Sequence, residues 1–411
     1  MGKKQIFSLI VFLIILGGLV LRSINLRNIQ FNWDQEYLLA FPAKDIIYNH
    51  HFPLIGARTG TGDLNIGPLY SYLAAMTFFV FRMDPIAAPI LAMLLSYITI
   101  IFSLILVRRV FGPFAAGYFI CLWCVSPFVI SLDRIPWNVN LLPISSVLTA
   151  CGLWLVMKKE KLLGWFLAGS GLLVGVNSHF SVCFFLVIVL TVSLINKKMV
   201  DKSIIWTVFI LGLSLVPLIL FNFRHNQLLK QNFTKFVVSA VISYNELPNR
   251  LIYISSITLE TIGRVILFEG SSWIQQSLAI FFMVLLIILR NDPKIKVYLR
   301  IFCIYLLIYI LGFTLYKGPT PDYYYLGLVV VSTIGFALVF SKIKDKFPET
   351  ILLLLLICFI LSYKSYILVG KPESYSLAVK QQIIETVKKY SDNQPVFLNL
   401  DMELGHSFGY D

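Results

Sequence analysis

The chain has 411 residues, 58% of them hydrophobic and 13% charged, and a formal net charge of +13 from 34 Lys and Arg against 21 Asp and Glu. Soluble domains carry about 25% charged residues. A chain this apolar cannot cover itself with a polar surface, so composition excludes a soluble enzyme and predicts an all-α polytopic membrane protein. The six cysteines (Cys121, Cys124, Cys151, Cys183, Cys303 and Cys358) all fall inside apolar runs and read as packing residues. Cys121 and Cys124 are spaced as CxxC, but mid-span and without polar flanks, so they give no redox or zinc signal.

In chain order, Lys3 and Lys4 precede an apolar run from Ile6 to Leu21. The run is longer than a usual signal-peptide core and no small-x-small cleavage site follows. It reads as an uncleaved first span with its N-terminus in the cytoplasm. A polar first loop follows at about residues 26–85. Within it, residues 67–81 are apolar but short and open on Pro68. They predict a juxtamembrane helix, because only then do Arg108 and Arg109 fall on the cytoplasmic side.

Ten further spans are expected at about 86–107, 112–131, 140–157, 162–177, 180–195, 203–222, 272–290, 297–316, 322–341 and 349–368, giving about eleven transmembrane helices. The fifth and sixth are short and meet at Asn177-Ser178-His179, which predicts a hairpin that does not cross fully. His179 at its turn reads as a satisfied interfacial histidine. The turns after the even-numbered spans, with Lys3 and Lys4, hold 17 basic and five acidic residues, so one face carries +12 and the other +1. The basicity is therefore explained by topology, and no nucleic-acid partner is implied. Residues 223–270 form a second long outer segment, with helical apolar spacing from Leu251 to Phe268. The chain divides into a transmembrane part, 1–368, and a short extracytoplasmic tail, 369–411, with a helix at 374–390 and a strand at 395–400.

Ionisable groups are costly in a membrane and collect where water or substrate reaches them. The first loop gathers Asp34, Glu36, Lys44, Asp45, Arg58 and Asp63. Asp34 and Glu36 follow Trp33 and are two apart, so on a helix they do not share a face. A carboxylate between an apolar wall and water serves as a general base. The bland alternative is capping: Asn32 or Asp34 as the cap of a helix from Gln35 to Tyr48, with Glu36 in its first turn. Further on, Gly56-Ala57-Arg58-Thr59-Gly60-Thr61-Gly62 reads either as a phosphate-binding loop built on backbone amides and Arg58, or as a flexible turn. A second loop offers Asp133, Arg134, Asn138 and Asn140, and a third offers Lys317, Asp322, Tyr323, Tyr324 and Tyr325.

Taken together, WDQEY after the first span, PLIGARTGTGDLNIGPLYSY, RIPWNVNLLP and KGPTPDYYYLG resemble the GT-C superfamily of integral-membrane glycosyltransferases. The likeness is to the protein-mannosyltransferase-like branch, which includes aminoarabinose transferases, and covers about Ile6 to Leu368. It implies transfer of a sugar from a polyprenyl-phosphate donor outside the cytoplasmic membrane, to an acceptor hydroxyl the sequence does not identify. Asp34 maps onto the first-loop acid of that family and is the expected base, with Glu36 secondary. Where the family usually has Asp-Glu, this chain has Asp34-Gln35. The second-loop acid has no clean counterpart: Asp133 comes early, and Asn138 or Asn140 stands nearer its place. The resemblance thus admits a divalent cation but does not require one, since amides are poorer ligands for hard cations. Arg58, Arg134 and Lys317 are the expected contacts of the departing phosphate, and Asp133, Asn138 and Tyr324 complete the substrate-binding set. A transporter or flippase of lipid-linked glycans is the alternative class. It would place ionisable residues within the spans, which are almost free of them.

Overall fold

The computed structural model describes residues 3–59, 63–239, 243–346, 350–391 and 394; the expected strand at 395–400 and Gly60 to Gly62 lie outside these. Among the described residues the fold is helical, with two isolated antiparallel bridges in place of strands. The first span, α1, is Lys3–Ser23. A helix rises 1.5 Å per residue, so its 21 residues cover about 31 Å, the thickness of a hydrocarbon core. The first loop contributes α2 (residues 33–49) and α3 (Leu69–Val80). With 12 residues α3 is only about 18 Å long, too short to cross, and it packs under α2 through Ala74, Ala75 and Phe78.

The rest of the bundle is α4 (Ala87–Phe111), α5 (Pro113–Val125), α6 (Pro127–Arg134), α7 (Leu142–Met157), α8 (Lys161–Val176), α9 (Val182–Ile195), α10 (Ile204–Arg224), α11 (Leu228–Ser239), α12 (Leu247–Gly263), α13 (Ser272–Ile288), α14 (Pro293–Leu315), α15 (Leu326–Lys346) and α16 (Thr350–Gly370). A tail helix, α17 (Leu377–Tyr390), follows. Among the described residues six helices are long and apolar enough to span, and α5 with α6, bent by 65° at their junction, make a seventh where the bent pair is counted as one span. Four shorter apolar helices, α8, α9, α13 and Leu354–Gly370 of α16, stand where the remaining expected spans fall. The protein is therefore a multi-pass, all-α membrane protein. The pair α8 and α9, of 16 and 14 residues, are about 24 and 21 Å long, as short as the apolar runs predict.

Helices apolar on every side belong at the centre of a bundle. Accordingly α5 and α7 are buried almost throughout, with Trp123 and Trp154 fully enclosed. By contrast α10 exposes Ile205, Phe209, Leu213 and Leu220, an apolar face turned to lipid.

The break between α5 and α6 organises the end of the bundle nearest the first loop. Pro127 has no N–H, so the Trp123 carbonyl one turn earlier loses its helical partner. Arg22, fully buried at the end of α1, takes over. It donates to the Trp123 carbonyl (3.3 Å), the Cys124 carbonyl (2.9 Å), Ser96 Oγ (2.7 Å) and Asp133 Oδ2 (2.8 Å). Gly18 makes this approach feasible, because a Cβ there would collide with Cys124. Arg134 donates to the Leu21 and Ile24 carbonyls, both at 2.8 Å, and to that of Asn25 at 3.1 Å, satisfying the last turn of α1.

The tail docks on the first loop. Phe31 N–H donates to the Tyr375 carbonyl (2.9 Å), Glu373 N–H to the Asn28 carbonyl (2.9 Å), and Arg27 to Gln381 Oε1 (3.0 Å). Ser376 caps α17, and Lys380 from its first turn is buried against the first loop, where the Glu36 charge acts on its ammonium.

Candidate active site

Asn32, not Asp34, caps α2: its Oδ1 accepts from the Asp34 N–H at 3.1 Å. This leaves the Asp34 carboxylate without a hydrogen bond or ion pair among the described residues. Asp34 is exposed, yet its surroundings are crowded enough that burial raises its pKa above the ordinary aspartate value. A π-helical turn over Glu36–Ala40 follows, a distortion often found at functional sites. Glu36 is nearly buried and faces the tail lysine instead. Gln35, where the resembling enzymes have Glu, is also buried. Its amide donates to the Pro136 carbonyl at 3.1 Å, and its Oε1 accepts from Asn32 N–H at 3.1 Å. An ionised glutamate could not donate that first bond. The substitution thus ties the first loop to the second.

Opposite Asp34 stands the third loop. The Asp34 charge acts on the Tyr323 hydroxyl. The Tyr323 ring packs on Trp137 with centroids 4.6 Å apart and edge-on to His179 at 5.8 Å; Tyr324 packs on His179 at 4.5 Å. Two arginines hold this loop in place: Arg264 pairs with Asp322 and Glu260, and Arg250 donates to the Tyr316 and Gly318 carbonyls at 3.1 and 2.7 Å. Between those two carbonyls, Lys317 is left exposed at the rim. Asn138 donates to the Ser178 carbonyl and so fixes the α8–α9 turn.

Behind the aromatic cluster lie two apolar cavities. One, of about 220 Å³, is walled by Phe184, Phe236, Phe313, Tyr316 and Tyr324. The other, of about 610 Å³, runs along α9 and α10 past Cys183, Leu215, Leu218, Ile219 and Phe233. Pockets of this size and character suit an apolar ligand with a few polar handles.

The structure thus sets Asp34 near Tyr323, lines one cavity with Tyr324, leaves Lys317 exposed on the third loop and uses Asn138 to brace the α8–α9 turn. It places the other expected residues elsewhere. Asp133 and Arg134 are 5% and 7% exposed and are consumed by Arg22 and by α1 carbonyls, so their charges do not reach the cavities. Arg58 sits on an exposed hairpin paired with Asp63, lining a separate pocket of about 390 Å³ with Tyr37, Phe41 and Asp45. Of the stretch 56–62, residues 60–62 lie outside the described residues. Gly56 N–H donates within the hairpin to the Ile66 carbonyl at 2.8 Å. Gly67 is small because a Cβ would meet the Asn177 amide. Among the described residues no three His, Cys, Asp or Glu side chains converge, and Asp133, the acid nearest the family's second position, is already neutralised. Trp137 and Lys230 carry no signal in the sequence that points to a site, whereas His179 has one, a hydrogen-bonding residue at a turn between two apolar helices.

The described helices adopt a GT-C-like fold, as the match to solved structures shows. No protein-family profile matches the sequence, and no curated protein aligns with it. Solved structures do match. ArnT from Cupriavidus metallidurans bound to undecaprenyl phosphate aligns with a TM-score of 0.59 and 12% identity, over 81% of this chain and 60% of that one. The archaeal oligosaccharyltransferase AglB from Archaeoglobus fulgidus, in complex with an inhibitory peptide and a dolichol-phosphate, aligns with a TM-score of 0.51 and 14% identity, over 96% and 58%. The chain spans about three fifths of the length of each of these proteins.

Proposed function

We propose that this protein is a membrane glycosyltransferase that moves a sugar from a polyprenyl-phosphate donor to an acceptor hydroxyl on the extracytoplasmic side. The observation that carries the reading is an uncommitted carboxylate, Asp34, near Tyr323, whose neighbour Tyr324 walls an apolar cavity in a GT-C-like fold. The cavities suit a prenyl chain. In the reaction the anomeric carbon–phosphate oxygen bond breaks and its electron pair leaves on the phosphate. The acceptor oxygen forms the new bond to carbon and passes its proton to Asp34. The phosphate is the activating group, so no nucleotide is needed. Tyr323 and Tyr324 offer ring faces beside Asp34 for the sugar, and Lys317 supplies positive charge at the rim.

Mass spectrometry of lipid extracts and envelope glycans, with and without the protein, tests this. Loss of the protein should remove one sugar from a glycan and accumulate the matching polyprenyl-phosphate-linked sugar. Unchanged pools in both fractions would sink the reading. A Lys317→Ala protein should show a higher KM for the donor, by at most about fivefold and less at high salt, because exposed charges are screened.

The charge asymmetry predicts the orientation: N-terminus in the cytoplasm, α17 and the first loop outside. A reporter fused after Leu400 should therefore be active only outside the cytoplasm. Cytoplasmic activity would put Asp34 on the wrong face for this donor.

A further inference from the structure

His179 lies on the turn between α8 and α9 and is 8% exposed. Its Nδ1 accepts the Ser181 N–H at 3.1 Å, with Ser181 Oγ at 3.0 Å. An imidazole that accepts at Nδ1 carries its proton on Nε2 when neutral. Burial holds its pKa down at about 4, so neutral is its state near pH 7. Nε2 has no hydrogen-bond partner among the described residues and is not enclosed. The ring borders both apolar cavities, the one of about 220 Å³ and the one of about 610 Å³, which share only His179 and Phe180. The larger cavity is bordered by one cation, Lys230 of α11, whose side chain reaches solvent.

We propose that the phosphate of the donor lipid binds between the Nε2–H of His179 and the ammonium of Lys230, with the prenyl chain along the apolar wall of the larger cavity. The assignment rests on the lipid-linked glycosyl transfer proposed above. A donor hydrogen at the junction of two apolar cavities needs an oxygen-bearing group to satisfy it when the ligand displaces water. An oxyanion attached to a hydrocarbon meets both demands. A neutral donor also costs less to keep desolvated in the empty cavity than a buried cation would. Lys230 supplies charge from the wet side. The turn is rigid: Asn138 holds Ser178, Asn177 Oδ1 accepts from Leu69 N–H at 3.0 Å, and Tyr324 packs on the imidazole. As the anomeric bond breaks, charge builds on the phosphate, and a donor already aimed there strengthens its bond without reorganising.

The test uses the full-length protein in detergent, with undecaprenyl phosphate and undecaprenol as paired probes, and sugar transfer from undecaprenyl-phosphate-linked sugars measured in parallel. Wild type should bind the phosphate more tightly than the alcohol. His179→Leu should lose about 10–100-fold in affinity for the phosphate, the scale of one hydrogen bond to a charged group, while keeping its affinity for undecaprenol. His179→Gln, whose amide nitrogen reaches the Nε2 position, should restore most of the loss; His179→Asn, which reaches only the Nδ1 position, should not. Lys230→Met should weaken phosphate binding in a salt-dependent way. Undiminished phosphate binding by His179→Leu, or an equal loss for both probes, overturns the His179 assignment and leaves the transferase reading standing if wild type still transfers sugar. A wild type with no preference for the phosphate over the alcohol overturns both.

Discussion

Asp34→Asn should abolish most turnover, by on the order of 100-fold or more, while leaving the fold intact. The separation is clean because the capping role belongs to Asn32, whose Oδ1 holds the Asp34 N–H. Asparagine at position 34 keeps that N–H and the size of the side chain but removes the basicity. Stability should not fall. Burial raises the Asp34 pKa in the folded protein, so the charged form opposes folding once the pH exceeds the unfolded value, and an amide relieves that opposition. The same shift sets the pH profile. A base must be deprotonated, so kcat/KM should fall as the pH drops through a value above the ordinary 3.9 or so of aspartate. Glu36→Gln should cost less activity, since Glu36 faces Lys380 and not the cavities. Kinetics and thermal unfolding of the two variants decide the matter. A fully active Asp34→Asn protein beside an inactive Glu36→Gln protein would show the wrong carboxylate had been chosen.

Arg22→Met and Asp133→Leu should each destabilise the protein by about 3–5 kcal/mol, because each strands a buried charge. The pair lies at 2.8 Å with both side chains almost wholly enclosed. Replacing both together should recover most of the loss, since an apolar pair of similar volume is often neutral in place of a buried ion pair. The part not recovered belongs to the Trp123 and Cys124 carbonyls, which Arg22 also satisfies. Thermal unfolding of the two single variants and the double variant in detergent measures the coupling. A double variant that is stable but cannot turn over donor would return Asp133 to the substrate site. A stable and active one fixes it as part of the scaffold.

The sequence by itself determined the class of fold and the shortness of α3, α8 and α9. These depend on lengths of apolar runs against a fixed membrane thickness, and such quantities are local. It also singled out Asp34, because a carboxylate beside Trp33 just after a span is conspicuous in a chain so poor in charge. Which charges face substrate was decided only by tertiary structure. Asp133 and Arg134 look as available in sequence as Lys317 does. Yet their partners are Arg22 and carbonyls about 110 residues earlier, and that pairing follows from Pro127 breaking a helix next to the end of α1. Likewise Arg58 is answered by Asp63 across a hairpin, and Glu36 meets a lysine from the tail, 344 residues later. His179 gains its meaning from the two cavities on either side of it. Apolar periodicity reports burial along one element. The satisfaction of a charge depends on which elements the fold brings together, and no single stretch of chain contains that information.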